Sequence, residues 1–560
     1  MTDTVLIVCF FFARAVHRWL THLQVGAGPS GLVLALSLIK NGVPVRIIDK
    51  ERSNYKVGQK GSGIHPRTME VYKLLGVLPD ILEESGTSHP LMMYDSDGVS
   101  IKVRMPMSEE LETTPDRPII NPILLGQDAH EEILRNYLAK FGCVVETGTE
   151  LESFEQSPDR VTAHLLKWND ANEQVPETAE VAWLIGTDGG KSTVRKQLGL
   201  TFMGETKSAE RWVVGDIQIN NSPLDQSAWH VWGDASSRTV SLRPYLKPGD
   251  DRYYIIAAGP DLNRERMASG REGFIQEFRE ISKRNDINFG KVIFLSQFQV
   301  NVRMVNKFGV GRVFVAGDAA HVHSPTGGQG INTGVLDSNN LAWKLALVHK
   351  HLAPPSLLET YNAERLPVVA AMLECTTDLF NKTFTRADDN HTGWFRGYIL
   401  RQFGVTYRGS PIVVDETNPG DEAVDPYRSG LDGRVQGGDR APEAPGLVGA
   451  DGGKVALFDS FGPAHHTVLV FSDDVKVHVG VLDTLKSYSS ALVKPIIILP
   501  KNSAVKAEGN MLRDEEGYAY KHYNIEEGTS LVVVVRPDGV VGARLNAAEG
   551  LKLYFQPIFL

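Results

Sequence analysis

The chain has 560 residues, a formal net charge of −10, 42% hydrophobic residues and three cysteines. That length holds two or three domains with ordinary packed cores. The acidic balance, with no basic run, argues against a nucleic-acid partner, and the scattered Cys9, Cys143 and Cys375 give neither a disulfide frame nor a zinc site, as in a reducing, cytoplasmic setting.

Val5-Leu-Ile-Val8 reads as a strand that should run straight into a Gly-rich turn, but residues 9–25 intervene. Removing them joins Val8 to Gly26. We therefore expect residues 1–24 to be an atypical insertion region, of the kind a translated intron leaves, with the first strand displaced. The apolar stretch Val5 to Ala13 is too short to span a bilayer and no basic residue precedes it, so there is no clear membrane anchor.

Val25-Gly-Ala-Gly-Pro-Ser-Gly31 follows. Gly26 permits the tight turn, Gly28 lets backbone approach a pyrophosphate, and Gly31 lets helix and strand pack closely. A helix from Leu32 to Lys40 would point its N-terminus at phosphates. A second strand, Val45 to Ile48, ends at Asp49-Lys50, where the acid is placed for a ribose hydroxyl.

A strand at Ala182 to Gly186 leads into Thr-Asp188-Gly-Gly and a helix from Lys191 to Leu198 carrying Arg195, which reads equally well as a surface residue. Stretches with strand patterning fill 205–300 and read as an antiparallel sheet with one face covered. His230, Arg243, Tyr245, Tyr253 and Tyr254 lie on those strands. Val313-Phe-Val-Ala-Gly317-Asp318 is a buried strand with an acid at its carboxyl end. Pro325 to Gly330, including Gly328, is a loop with almost no side-chain bulk, and a helix runs from about Asn332 to His349. Its N–H groups would face the edge of a flat ring that gains negative charge. His321 and His323 lack further ligands nearby, so no metal is expected. Together the three Gly-rich segments fit successive parts of one FAD.

These motifs resemble the class A flavoprotein aromatic hydroxylases, the family of p-hydroxybenzoate hydroxylase, and most of all its phenol 2-monooxygenase-like branch. The resemblance covers roughly residues 25–380 well and 430–560 loosely. It implies an α/β fold: a Rossmann-like FAD-binding domain, an inserted antiparallel β-sheet substrate domain and a C-terminal thioredoxin-like α/β domain. The expected segments are 25–204 and 301–385 for the FAD-binding domain, 205–300 for the substrate sheet, 386–445 for a linker and 446–560 for the last domain. With no cysteine after Cys375, that last domain has no thioredoxin chemistry, and its role is structural or oligomeric, as in a homodimer. The resemblance adds Gln127 as a flavin contact and Arg67 at a helix start.

The implied activity is an FAD-dependent monooxygenase. It uses NADPH or NADH as a transient co-substrate, together with O2, and hydroxylates an aromatic or polyketide-like molecule through a flavin C4a-hydroperoxide. Epoxidation, Baeyer–Villiger-type insertion and oxidative decarboxylation use the same chemistry. A flavin-binding protein impaired by the N-terminal insertion is the alternative from another class. The branch's Arg-Ala-Asp-Gly reads Lys60-Gly-Ser62-Gly here. Serine cannot be that base, so substrate activation is expected from His230, Arg243, Tyr245 or Tyr253.

Overall fold

The computed structural model describes residues 22–560 except 54–57, 235, 246–248, 386–393, 419, 421–422 and 432, and not the side chains of 207–211 and 384–385. The expectations for Val5–Val8 and for residues 9–21 lie outside the described residues.

The first sheet has six strands. Across it run Gly309–Val310, Val313–Val315, Trp183–Gly186, His22–Val25, Val45–Asp49 and Glu146–Thr147. All neighbours are parallel except the first pair. The order brings the carboxyl ends of the three motif strands side by side, the edge at which open α/β sheets bind ligands.

The strand that enters the Gly26 turn is His22-Leu-Gln-Val25, buried at every position. This corrects the expected boundary at residue 24, because the turn needs a strand directly before it and these residues fill the slot. They fill it poorly. Neither ring nitrogen of His22 has a hydrogen-bond partner, nor has Gln24 Oε1. Gln24 Nε2 donates to Thr187 Oγ1 at 3.3 Å. Burial, then the nearby His349, hold the His22 imidazole well below its ordinary pKa.

The second large sheet has eight strands in the order His321–Val322, Phe289–Val305, Phe202–Ile219, Arg252–Ala258, Arg238–Pro244, Trp229–Asp234, Leu91–Tyr94 and Ile101–Met105. It is antiparallel except where Trp229–Asp234 runs parallel to Leu91–Tyr94. The expected span of 205–300 was too narrow at both ends. Three short strands come from the segments assigned to the FAD-binding domain: His321–Val322 at one edge, and Leu91–Tyr94 with Ile101–Met105 at the other, where the Trp229 strand would otherwise lie unpaired. One face packs on the helix Arg271–Ser282 through Trp232, Leu242, Tyr253, Phe274 and Phe278.

The third large sheet runs Val414–Asp415, Val541–Leu545, Leu531–Val535, His466–Phe471, Val493–Pro500, Met511–Asp514, Leu447–Val448 and Lys454–Val455. Leu531–Val535 and Val541–Leu545 form the hairpin expected across Pro537-Asp-Gly, with Gly539 at φ +73°. The expected linker is instead packed structure where it is described: Leu400, Phe403, Val405, Tyr407, Ile412 and Tyr427 are buried. Its apolar residues were hidden among Gly, Pro and Asp.

That hairpin turn docks on the helix Gln329–His349 through buried charge. Arg536 pairs with Glu364 at 2.7 Å and Asp538 at 2.5 Å, and Lys344 reaches Glu364 at 2.7 Å. Asp538 also accepts from Trp343 Nε1 at 3.3 Å. Among the described residues no helix is long and apolar enough to cross a membrane.

Candidate active site

The three Gly-rich segments are bonded to one another. Gly26 sits at φ +104°, and a Cβ there would strike the Thr187 carbonyl. Gly31 packs against Gly26 O and Thr187 in the same way, whereas a Cβ on Gly28 would meet no atom within 4 Å. The close-packed glycines shape the turn and the open one faces empty space. The helix Pro29–Lys40 begins there with Gly28 as its N-cap and no side-chain cap. Its first intrahelical bond runs from Leu32 N–H to Gly28 O at 2.9 Å, so the N–H groups of the helix's first turn have no intrahelical partner and can serve an anion.

Asp49 ends the second strand. Its carboxylate accepts from Ala27 N–H and Glu51 N–H, each at 2.9 Å, which ties it to the Gly-rich turn. Lys50 beside it is exposed. Asp188 accepts from Thr193 N–H at 2.7 Å and Val194 N–H at 3.2 Å, and its Oδ1 is buried with no partner. The surface reading of Arg195 is corrected. Arg195 is buried, donates to Ala319 O at 2.9 Å and Gly190 O at 2.8 Å, and stacks on Phe202. It staples the second motif to the third.

In the third motif Gly317 takes φ +58° against Ser30 of the first. Asp318 is exposed just past the end of the strand Val313–Val315; desolvation raises its carboxyl pKa while His321 opposes the rise. Pro325 is exposed, and Gly327 and Gly328 take φ of +89° and +63°. A Cβ on Gly330 would approach His323. The helix starts at Gln329, three residues before the expected start. Asn332 spends its side chain on backbone: it donates to Gly63 O and Gly328 O and accepts from His65 N–H at 2.7 Å. It therefore fixes the loop rather than presenting a free amide. Gln127 begins the helix Gln127–Lys140, and its backbone N–H donates to Gly61 O at 3.0 Å. Arg67, in the helix Pro66–Leu74, pairs with Glu70 and donates to Asp538 O and Gly539 O.

An uncapped helix start, the open space at Gly28, the orphaned Asp188 Oδ1 and the exposed Asp318 fit a diphosphate-bridged cofactor such as FAD.

The candidate substrate face follows from strand register. Asp216 lies opposite Tyr254, and Tyr254 opposite Arg243, so the three share one face of the sheet. His230 and Tyr253 point to the other face. The sequence reading grouped them with Arg243 as candidates for acting on substrate, and the register separates them from it. His230 bonds Tyr94 OH and Asp225 O, each at 2.8 Å, and stacks near Trp232. Tyr253 donates to Ser222 Oγ at 2.6 Å within the core. Both are committed to the sheet's helix-covered side.

Arg243 and Tyr245 do lie on the open face. Arg243 is buried; its guanidinium donates to Ser62 Oγ at 2.7 Å and to Gln59 Oε1. Its Nε has no partner, and Trp229 Nε1 and His89 Nδ1 nearby are also buried and unpartnered. Tyr254 OH donates to Lys60 O at 3.0 Å, and Lys60 takes φ +39°. Tyr245 OH donates to Asp216 at 2.7 Å. Sequence reading missed Gln59, His89, Asp216 and Trp229. An acid inside an otherwise apolar strand was the one available sign for Asp216.

A family model described as FAD binding domain matches residues 22–376. A flavin-dependent monooxygenase from Mycobacteroides abscessus is 35% identical over 462 residues, covering 82% of this chain and 90% of the relative. Pentachlorophenol 4-monooxygenase from Sphingobium chlorophenolicum is 28% identical over 547 residues, 94% of each chain. The solved anhydrotetracycline hydroxylase from Streptomyces rimosus superposes with a TM-score of 0.69 at 25% identity, over 96% of this chain and 99% of that one. With a family model over more than half of its length and a relative 35% identical over 82% of it, this chain belongs to the FAD-binding family of class A flavoprotein monooxygenases.

Proposed function

We propose that this protein hydroxylates an aromatic or polyketide-like small molecule, using FAD, a nicotinamide co-substrate and O2. The observation that carries the reading is the bonding of the three motif segments around one cleft: Asp49 to Ala27, Thr187 to Gly26 and Arg195 to Ala319. Bound FAD would supply electron storage and oxygen activation. Gly28 and the N-terminus of its helix would hold the diphosphate, Asp49 a ribose hydroxyl, and Asp318 the chain linking diphosphate to flavin. The Arg243 face would hold the substrate. Its unpartnered polar atoms suit a ligand with oxygens along one edge, and Trp229 and Tyr254 suit a flat ring.

Several finer readings travel with this. NAD(P)H would bind transiently, because the one dinucleotide-type turn described is committed to FAD. The last domain reads as thioredoxin-like. Its core order, Val541–Leu545, Leu531–Val535, His466–Phe471, Val493–Pro500, with the helix Val475–Leu485 between the two parallel strands, supports that. With no cysteine in it, it would serve as a clamp on the helix Gln329–His349. Cys143 and Cys375 are free, in keeping with a cytoplasmic location.

The test is the visible spectrum of the purified protein, followed by NADPH oxidation with a panel of hydroxylated aromatics and anthraquinones. Flavin bands and substrate-stimulated oxidation with an oxygenated product are expected. Absence of flavin binding after reconstitution would refute the reading.

A further inference from the structure

Arg243 is a buried cation to which no described carboxylate is bonded. Among the described residues its guanidinium donates to the Ser62 hydroxyl and the Gln59 amide. A buried charge without a bonded counter-ion is costly unless a ligand supplies one. The nearest acid on the same face is Asp216, two places along the row Asp216–Tyr254–Arg243.

Asp216 is fully buried. One carboxylate oxygen accepts from Tyr245 OH at 2.7 Å and Gln59 N–H at 2.9 Å. The other is buried and has no partner. Both donors are neutral, so among the described residues no cation is bonded to this carboxylate. Gln59 links the two groups: its N–H reaches Asp216 and its Oε1 reaches Arg243. The charged and titratable groups facing Asp216 are Arg243 from Arg238–Pro244 and Tyr245 just after it, Tyr254 from Arg252–Ala258, and Asp128 from the helix Gln127–Lys140. His89 faces Arg243.

We propose that Asp216 is the proton acceptor for ionisation of the substrate's phenolic or enolic hydroxyl at Arg243. The substrate O–H bond breaks, an O–H bond forms on the Asp216 carboxylate, and the anionic oxygen is left against the guanidinium. The net charge of the chamber does not change, so no uncompensated charge is buried. This does the work for which Ser62 has no carboxylate. Geometry carries the assignment, and titration agrees. Burial lifts the Asp216 carboxyl to about 6, the bonds from Tyr245 and Gln59 pull against that rise, Asp128 adds to it and Arg243 reduces it. A carboxylate at that value is ionised at neutral pH yet takes a proton readily.

This inference rests on reading the Arg243 face as the substrate chamber, and its test keeps the two apart. The probe is alizarin, a hydroxyanthraquinone whose colour reports its ionisation. Binding to the FAD-loaded protein is followed by absorbance, and by calorimetry in two buffers of different ionisation enthalpy, which together count protons released. In the unmodified protein at neutral pH, alizarin should bind as its anion with almost no net proton release. Asp216→Asn should release about one proton per dye bound. Tyr245→Phe removes a bond that keeps Asp216 ionised, so part of the acid is protonated beforehand and release should be intermediate. That variant keeps the carboxylate and serves if Asp216→Asn fails to hold FAD. A merely structural role would change affinity and leave proton count and dye colour alone. Equal proton release in all three proteins, or dye bound in its neutral form, overturns the role of Asp216 while dye-stimulated NADPH oxidation leaves the chamber standing. Dye that neither binds nor stimulates oxidation overturns both.

Discussion

Replacing His22 and Gln24 with apolar residues should stabilise the protein. The central strand of the FAD-binding sheet is fully buried, yet two of its four side chains are polar and three of their atoms have no partner. An unsatisfied buried polar group costs about 1–3 kcal/mol. The orphaned atoms belong to two side chains, so about 2–6 kcal/mol is recoverable in His22→Val/Gln24→Ile. Loss of the Gln24–Thr187 bond subtracts about 1 kcal/mol. The smaller volume at position 22 subtracts about another 1 kcal/mol. Thr187 keeps its own bond to Gly26 O at 2.7 Å, so the turn is undisturbed. The net gain is about 0–4 kcal/mol with a midpoint of about 2 kcal/mol, which is roughly 4–8 °C in Tm at that midpoint. Deleting residues 9–25 should act in the same direction, because Val5-Leu-Ile-Val8 would then directly precede Gly26. The assay is thermal unfolding of the FAD-loaded protein followed by flavin fluorescence. A double variant that binds FAD but melts below the unmodified protein would refute the reasoning.

Stability should fall as pH drops below about 6.5, the ordinary histidine value. Burial holds His65 at about 4, and His130 and His466 at about 3. Their stabilisation is complete above the unfolded value and is lost progressively as pH falls toward the folded ones, by about 1.4 kcal/mol per pH unit for each. Asp216, lifted to about 6, opposes part of this, since the folded carboxyl is protonated before the unfolded one. Chemical denaturation between pH 7.5 and 5 checks the slope, and a flat profile counts against it. Gly28→Ala should fold normally but bind FAD at least tenfold more weakly, because its Cβ fills only the space left for the cofactor. Gly26→Ala should instead destabilise the apoprotein, since its φ is +104° and its Cβ meets Thr187. Equal melting temperatures for the two apoproteins would contradict that distinction. Glu364→Gln should cost about 3–5 kcal/mol by leaving Arg536 and Lys344 under-compensated in a buried network. A loss below about 1 kcal/mol in denaturant unfolding would show that the network does not hold the last domain in place.

What the sequence revealed and what it hid divide along a physical line. Gly26, Gly31 and Gly317 could be read because their roles depend on backbone conformation and close approach, and no other residue type serves there. The Pro537-Asp-Gly hairpin was legible for the same reason. Helix Gln329–His349 was placed to within three residues by a Gly-rich start and a Pro-Pro stop. Side chains on the substrate sheet were different. His230 and Arg243 look equally chemical in a one-dimensional string, yet Leu242 opposite His230 belongs to the helix-covered cluster and the buried Tyr254 opposite Arg243 does not. Pairing register decides between them, and a shift of one residue would exchange their faces. Register here is fixed by strands 91–105 and 289–305 as well as by 205–258, and no local pattern reports that. The same dependence explains the acid. A base carried on the loop before Pro66 is visible as a motif, and its replacement by Ser62 is equally visible. An acid supplied by a strand over 150 residues away is seen only when Gln59 N–H and Tyr245 OH converge on Asp216. A loop acid lost while a buried acid reaches the same loop from the facing strand relocates the proton acceptor within the chamber, and it predicts that Ser62→Asp would place a second carboxylate beside Arg243 and weaken anion binding there rather than restore activity.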